Sequence, residues 1–174
     1  VLLKGELVAY FYIDAAAECP DVQEVLTFSN EIGAISAYAY LGDVGNSVTG
    51  DKKSQRFEDS YLEQLFDVLK SLGFNAVTYM PSRNTPDQLA RVRALCREYD
   101  FFQISGEDIN SPRQSFVCAA QRDEQFRNLY ESTWALIGHE LAATEDREKG
   151  LFSLESIKRY PNLEDRIKVF KDIG

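Results

Sequence analysis

The chain has 174 residues, which suits a single domain with a sizeable apolar core. Hydrophobic residues make up 44% and charged residues 27%, as in an ordinary globular protein. The net charge of −9 argues against non-specific nucleic-acid binding, which needs Lys and Arg to neutralise phosphates. No apolar run approaches the ~18 residues of a membrane span. We therefore expect no nucleic acid and no membrane among its partners.

The cysteines and the first residues favour a cytoplasmic protein. Cys19, Cys96 and Cys118 are an odd number at no metal-like spacing, which predicts buried thiols in a reducing compartment. The short apolar start is followed at once by Lys4 and Glu6, unlike an export signal. Because the chain begins with a residue other than Met, we expect a fragment of a longer protein.

Predicted strands and helices alternate over the first 105 residues, as judged from apolar periodicity and turn residues. Thr85 to Gln88 read as a capping box, while Pro20 and Gly33 are expected in the first turn and at the end of an earlier helix. Strands are expected at 7–13, 34–41, 75–80 and 101–105, helices at 20–32, 56–72 and 85–99, and a glycine-rich loop at 42–53. The inward face of the second helix is expected to hold Phe57, Tyr61, Leu65, Phe66, Leu69 and Leu72.

The remainder of the chain is predicted to be helical. Residues 123–143 form an amphipathic pattern, and one or two short helices are expected at 151–174. His139 is the one histidine of the chain and falls opposite the apolar face, so we expect it to be exposed. That apolar face is expected to pack inward through Phe126, Leu129, Tyr130, Trp134, Ile137 and Leu141.

This order of elements predicts an α/β fold of parallel strands joined by right-handed crossover helices. Residues 1–120 are expected to form the β/α part, and residues 121–174 a helical tail packed on the same domain. An open parallel sheet of about four strands leaves unpaired edges. We therefore expect either a homo-oligomer or a missing N-terminal half of the barrel to cover them.

Polar side chains follow three predicted strands at their carboxyl ends, where parallel α/β folds bind ligands. Asp108, Asn110 and, less directly, Glu107 offer hard oxygen ligands suited to Mg²⁺, Mn²⁺ or Ca²⁺. The alternative is that these residues only form turns. A second candidate group could bind an anion or a substrate at the same rim: Tyr40, Asp43, Arg83 and Arg113. In the competing interpretation, Arg83 forms a salt bridge with Asp108 or Glu107.

From residue 20 to residue 116 the chain resembles the PHP superfamily (polymerase and histidinol phosphatase) of metal-dependent phosphoesterases. The matching segments read Ala39-Tyr40-Leu41-Gly42, Ser82-Arg83-Asn84-Thr85-Pro86 and Gly106-Glu107-Asp108-Ile109-Asn110. The resemblance implies the C-terminal part of a distorted β/α barrel and hydrolysis of phosphate esters. It also implies a divalent metal (Mn, Mg, Zn or Fe) and a phosphate-bearing small molecule as ligand.

The family has histidine at the positions of Tyr40 and Asn110, and of its recognised metal ligands the chain keeps Asp108. A centre of two or three metals needs several imidazoles and carboxylates. Three hypotheses follow. The chain is a fragment of a phosphoesterase whose remaining ligands lie on a segment absent here, or it is a non-catalytic domain that binds a small molecule or anion or serves as a regulatory or interaction module. The third hypothesis is a plain structural domain.

Overall fold

The computed structural model of this chain describes residues 10–11, 13–45, 55–109, 112 and 115–174. Three parallel strands form its sheet, in the order β1-β2-β3. The strands are β1 (Ala37–Ala39), β2 (Ala76–Tyr79) and β3 (Phe102–Ser105). In the central strand, Ala76 pairs with Ala37 on one side and with Phe102 on the other. All three carboxyl ends therefore lie at one edge of the sheet.

Helices connect the strands and continue to the end of the chain, which confirms the α/β class and the helical tail. In the described residues, no helix combines the length and apolar character needed to cross a membrane. The helices are α1 (Ala15–Glu18), α2 (Val22–Ile32), α3 (Leu62–Leu72), α4 (Pro86–Glu98), α5 (Arg127–Glu145), α6 (Leu154–Arg159) and α7 (Leu163–Ile173).

The sheet separates two apolar clusters, because alternate side chains of a strand point to opposite faces. Val77 and Tyr79 pack with α3, α4 and the first turn of α5. Ala76 and Phe102 pack on the other face, with Leu151 and the later part of α5 and α7. The helical tail thus covers one face of the sheet.

Local sequence signals correctly predicted several helix ends. Thr85 and Gln88 form the expected capping box at the start of α4. Gly33 ends α2 in the left-handed conformation, with φ of 76°. The start of α2 differs, because the carboxylate of Asp21 accepts a hydrogen bond from Gln23 N and caps the helix. Pro20 therefore precedes the helix instead of lying in its first turn.

The strand predicted at 7–13 is wrong where the structure describes it. Tyr10 and Phe11 have helical backbone and are largely exposed. Residues 1–9 and 12 lie outside the described residues, as does most of the predicted loop at 42–53. A short aromatic run does not distinguish a strand from a helix by periodicity, which explains the error. The thiol prediction also fails at Cys19, which is exposed, whereas Cys96 is buried.

Helix α3 begins later than predicted. A turn of 3₁₀ helix at Asp59–Tyr61 precedes it, and this tighter winding changes which side chains face the core. The buried residues of α3 are Leu62, Phe66 and Leu69, which are spaced by four and three residues and so lie on one helix face. Tyr61, predicted to point inward, is 48% exposed.

Helix α5 buries a different face from the one predicted along most of its length, although Phe126 and Leu129 are buried as predicted. Its buried residues are mostly small: Leu129, Ser132, Ala135, Gly138 and His139. A Cβ on Gly138 would lie 1.8 Å from the carbonyl oxygen of Phe170, so α5 and α7 approach too closely for any side chain there. Close helix packing therefore selects the small face of α5 against α7, and four large apolar side chains remain exposed: Tyr130, Trp134, Ile137 and Leu141. His139, predicted to be exposed, is buried.

The buried imidazole of His139 makes the stability of the fold sensitive to pH. Its Nδ1 accepts a hydrogen bond of 3.0 Å from the backbone N–H of Leu151, which requires an unprotonated nitrogen. Burial lowers the pKa of His139, although Glu140 and the Gly33 backbone act in the opposite direction. The unfolded state therefore takes up a proton at a higher pH than the folded state does.

We predict that the free energy of unfolding decreases as the pH falls below about 6.5, the ordinary pKa of histidine. The contribution of the neutral His139 to stability is complete above that pH. It decreases as the pH falls toward the lower pKa of His139 in the folded state. Urea titrations between about pH 7 and pH 5 measure the effect. In His139→Gln, which cannot titrate, the slope of stability against pH should be smaller over this range. An unchanged slope would contradict the prediction.

Candidate functional site at the strand ends

The turn that follows β2 ties the ends of the neighbouring strands together. The side-chain amide of Asn84 is buried, and both its oxygen and its nitrogen form hydrogen bonds. Its Oδ1 accepts from Met80 N at 2.8 Å, and its Nδ2 donates to the carbonyl oxygen of Leu41 at 2.8 Å. The first bond closes the turn, and the second connects it to the segment after β1. One side chain thus sets the spacing of two strand ends.

The same turn is joined to the end of β3 through Glu107. Glu107 Oε1 accepts from the backbone N–H of Ser82 at 2.9 Å, and Oε2 accepts from the Ser82 hydroxyl. Burial, together with a hydrogen bond to Glu107, raises the pKa of the Cys118 thiol, which stays protonated near neutral pH. The Glu107 carboxylate thus joins the turn after β2 to the end of β3.

A second carboxylate organises the end of β1. Asp59 accepts three hydrogen bonds: from the hydroxyl of Tyr40 at 2.6 Å, from Asp43 N at 2.9 Å and from Gln88 Nε2 at 2.7 Å. Asp43 in turn accepts from Phe57 N at 2.7 Å. The start of α4 and the segment after β1 are thereby linked through one acidic side chain.

Burial affects the two ends of the Tyr40–Asp59 hydrogen bond differently. Burial and the bond to Asp59 raise the pKa of Tyr40 far above its usual value. Burial alone would raise the pKa of Asp59, but the bonds from Tyr40, Gln88 and Asp43 outweigh it and lower this pKa. Tyr40 therefore stays a neutral donor and Asp59 a charged acceptor across the physiological range.

Arg83 is the exception in this well-bonded region. It lies in the turn after β2 and is partly buried. Its Nη2 is shielded from solvent and has no hydrogen-bond partner among the residues that the structure describes. Glu107, one of the two acids that the sequence offers as its ion-pair partner, accepts from Ser82 with both oxygens instead. A buried guanidinium nitrogen without an acceptor costs free energy until an acceptor is supplied.

The structure thus gives most of the predicted site residues a position at the expected sheet edge. Tyr40 and Asp43 meet at Asp59, whereas Glu107 contacts Ser82, the neighbour of Arg83. Tyr40 is 1% exposed and turned inward. Asp108 follows Glu107 and is exposed. Asn110 and Arg113 lie outside the described residues, so the predictions made for them stay predictions.

Sequence reasoning missed the residues that hold the rim together. In the sequence, Ser82 and Asn84 stand out only as members of the segment Ser82-Arg83-Asn84-Thr85-Pro86. The Asp59 carboxylate binds residues 16 to 29 positions away, and Gln88, besides its expected bond to Thr85, binds Asp43 across 45 positions. A Glu-Asp pair directly before an apolar helix was a visible signal for Asp59, but its distant partners cannot be deduced from spacing.

The described residues do not by themselves fit a metal centre. Across the described ranges there is no group of three His, Cys, Asp or Glu side chains that could hold an ion. Glu107, one of the three predicted ligands, binds Ser82 with both carboxylate oxygens. The predicted set of Asp108, Asn110 and Glu107 remains a prediction, because Asn110 is not described.

A cavity of about 310 Å³ lies elsewhere, between α5, α6 and α7. Its lining includes the apolar side chains of Leu141, Val169 and Phe170. The charged side chains of Lys149 and Arg159 also line it. It contains none of the predicted site residues.

Comparison with known proteins adds no further indication, since no family model, curated protein or solved structure matches this chain.

The bridging role of Asn84 leads to a stability prediction. In Asn84→Ala, Met80 N and the Leu41 carbonyl each lose a partner in a buried region. We expect the free energy of unfolding to fall by roughly 2–6 kcal/mol, since each of the two unsatisfied groups costs about 1–3 kcal/mol. Denaturant unfolding measures it. Thr27→Ala, which removes an exposed side-chain bond in α2, is the control and should change stability by less than about 0.5 kcal/mol. Equal effects would argue against the bridge.

Proposed function

We propose that this chain is an oxyanion-binding domain built on a partial PHP-like barrel, and that its ligand is a phosphate-bearing small molecule. The observation that supports this proposal is the shielded Nη2 of Arg83, which has no acceptor within the described part of the chain. Phosphate oxygens supply strong acceptors, and the guanidinium fork matches their geometry. A bound anion would remove the cost of leaving that nitrogen unpaired.

The surroundings of Arg83 favour a bound ligand over a surface ion pair. Glu107 is held by Ser82, the neighbour of Arg83 in the turn that follows β2 at the rim of the parallel sheet. Ligands of parallel α/β folds gather at this rim. Because the whole chain carries −9, a site here must depend on local geometry and not on the general field.

Tyr40, which stands where the resembled family has a histidine, favours binding without hydrolysis. Tyr40 is buried, donates its hydroxyl to Asp59 and has a raised pKa, so it does not offer a metal the lone pair of an imidazole. Glu107 uses its oxygens on Ser82. A phosphoesterase fragment, with Asp108 as ligand and further ligands supplied by another segment, is the alternative proposal.

We expect calorimetric titration with inorganic phosphate to give saturable binding at millimolar concentration. Arg83→Gln keeps the size and polarity of the side chain but removes its charge, and should weaken binding at least tenfold. Arg97→Gln, at the exposed end of α4, is the matched control and should bind like the wild type. Absence of binding heat in the wild type, or equal affinity in both variants, would overturn the proposal.

A separate assay distinguishes binding from hydrolysis. We expect no useful turnover of a generic aryl phosphate by this chain in the presence of Mn²⁺. The comparison is Asp108→Ala, which removes the one recognised ligand position retained. A wild-type rate that collapses in Asp108→Ala would favour the phosphoesterase alternative, whatever the outcome with Arg83→Gln.

A further inference from the structure

Helix α5 carries a narrow stripe of large apolar side chains on its outer surface. Tyr130, Trp134, Ile137 and Leu141 are spaced by four, three and four residues, which places them on one helix face. Their exposed fractions are 61%, 38%, 40% and 53%. The rings of Tyr130 and Trp134 meet edge to face, with centroids 6.3 Å apart. Single exposed apolar residues are common, but a continuous stripe of this kind indicates an interaction surface.

The stripe cannot turn inward without breaking the fold. The opposite face of α5 is fixed by Gly138, where the backbone of α7 leaves no room for a side chain. Rotating α5 to bury the stripe would remove this contact and expose Ala135, which is fully buried. The stripe must therefore be covered from outside, or remain in water.

We infer that the stripe is covered by a second copy of this chain, with the two α5 helices antiparallel across a two-fold axis. The axis passes between Trp134 and Ile137. In this register, Trp134 faces Ile137 of the second copy, and Tyr130 faces its Leu141. The spacing of the four residues is thus complementary to itself, as a two-fold interface requires.

The exposed area is sufficient for such a contact. Ile173, at the end of α7, is 45% exposed and lines the same cavity as Leu141. Covering these five side chains on both copies removes on the order of 1,000 Å² from water, the lower end for specific interfaces. Trp and Tyr near the centre of an interface contribute most to affinity. We expect a weak dimer with a micromolar dissociation constant.

The charges beside the stripe permit this pairing. Glu131 lies 3.5 Å from Arg127 and 3.3 Å from Lys171, and Glu145 lies 3.7 Å from Lys149. These carboxylates are neutralised within one copy, so the contact does not bring them together as unpaired like charges.

A pair of charge substitutions tests both the contact and its direction. In Tyr130→Lys combined with Leu141→Glu, an antiparallel pair places Lys opposite Glu at both ends, and the chain should still dimerise. In Tyr130→Glu combined with Leu141→Glu, acids face acids, and we expect a monomer. A parallel pair would repel in both variants. Because the substituted side chains are more than half exposed, both variants should fold, and circular dichroism checks this.

Sedimentation equilibrium from low micromolar to submillimolar concentration is the measurement. The wild type and the Lys/Glu variant should approach twice the monomer mass of 19.8 kDa, and Val68→Glu, an exposed site on α3, should behave like the wild type. Added salt should strengthen the dimer, because it screens the repulsion between two chains of charge −9. Emission of the one tryptophan should shift to shorter wavelength over the same concentration range.

A wild type that remains monomeric throughout would overturn the inference and would leave the stripe to another partner. A dimer that survives in the Glu/Glu variant would place the contact elsewhere, for example at the open strand edges. If the wild type dimerises but neither double variant does, the antiparallel arrangement is wrong.

Discussion

The strand ends depend on how Asn84 satisfies the buried backbone around it. A parallel sheet leaves the last N–H and C=O groups of its strands unpaired where the chain turns away, and burying them unpaired is costly. Asn84 supplies an acceptor to Met80 and a donor to Leu41 from one rigid amide. The turn that carries Ser82 and Arg83 is held in place as a result.

The acidic side chains of this region have mainly structural roles in the arrangement described. Glu58 accepts from Leu41 N, Asp59 gathers three donors, and Glu107 holds Ser82. In metal-dependent phosphoesterases, carboxylates hold metal ions. Here the same residue types join loops to strands. Among the described residues, the Nη2 of Arg83 in this region has no hydrogen-bond partner, and the proposed anion site depends on that nitrogen.

Helix α5 shows how packing can reverse an amphipathic pattern. The large apolar residues of its sequence form the clearest stripe, yet the small residues lie against α7. Close approach of two helix backbones gains many van der Waals contacts, and only small side chains permit it. Tyr130, Trp134, Ile137 and Leu141 are then left at the surface. Burial of His139 follows from the same packing, and with it the predicted sensitivity of stability to pH.

The sequence by itself determined the elements whose signals are local. The capping box at Thr85, the glycine at the end of α2 and the alternation of strands with helices depend on residues within a few positions of each other. These led to the α/β class and to the sheet edge at which Arg83 and Glu107 lie. Only the tertiary structure decided the partners of Asp59 and Asn84 and the face that α5 buries. Hydrogen bonds between distant residues, and the distance between two helices, depend on the assembled fold and leave no periodic signal in the sequence.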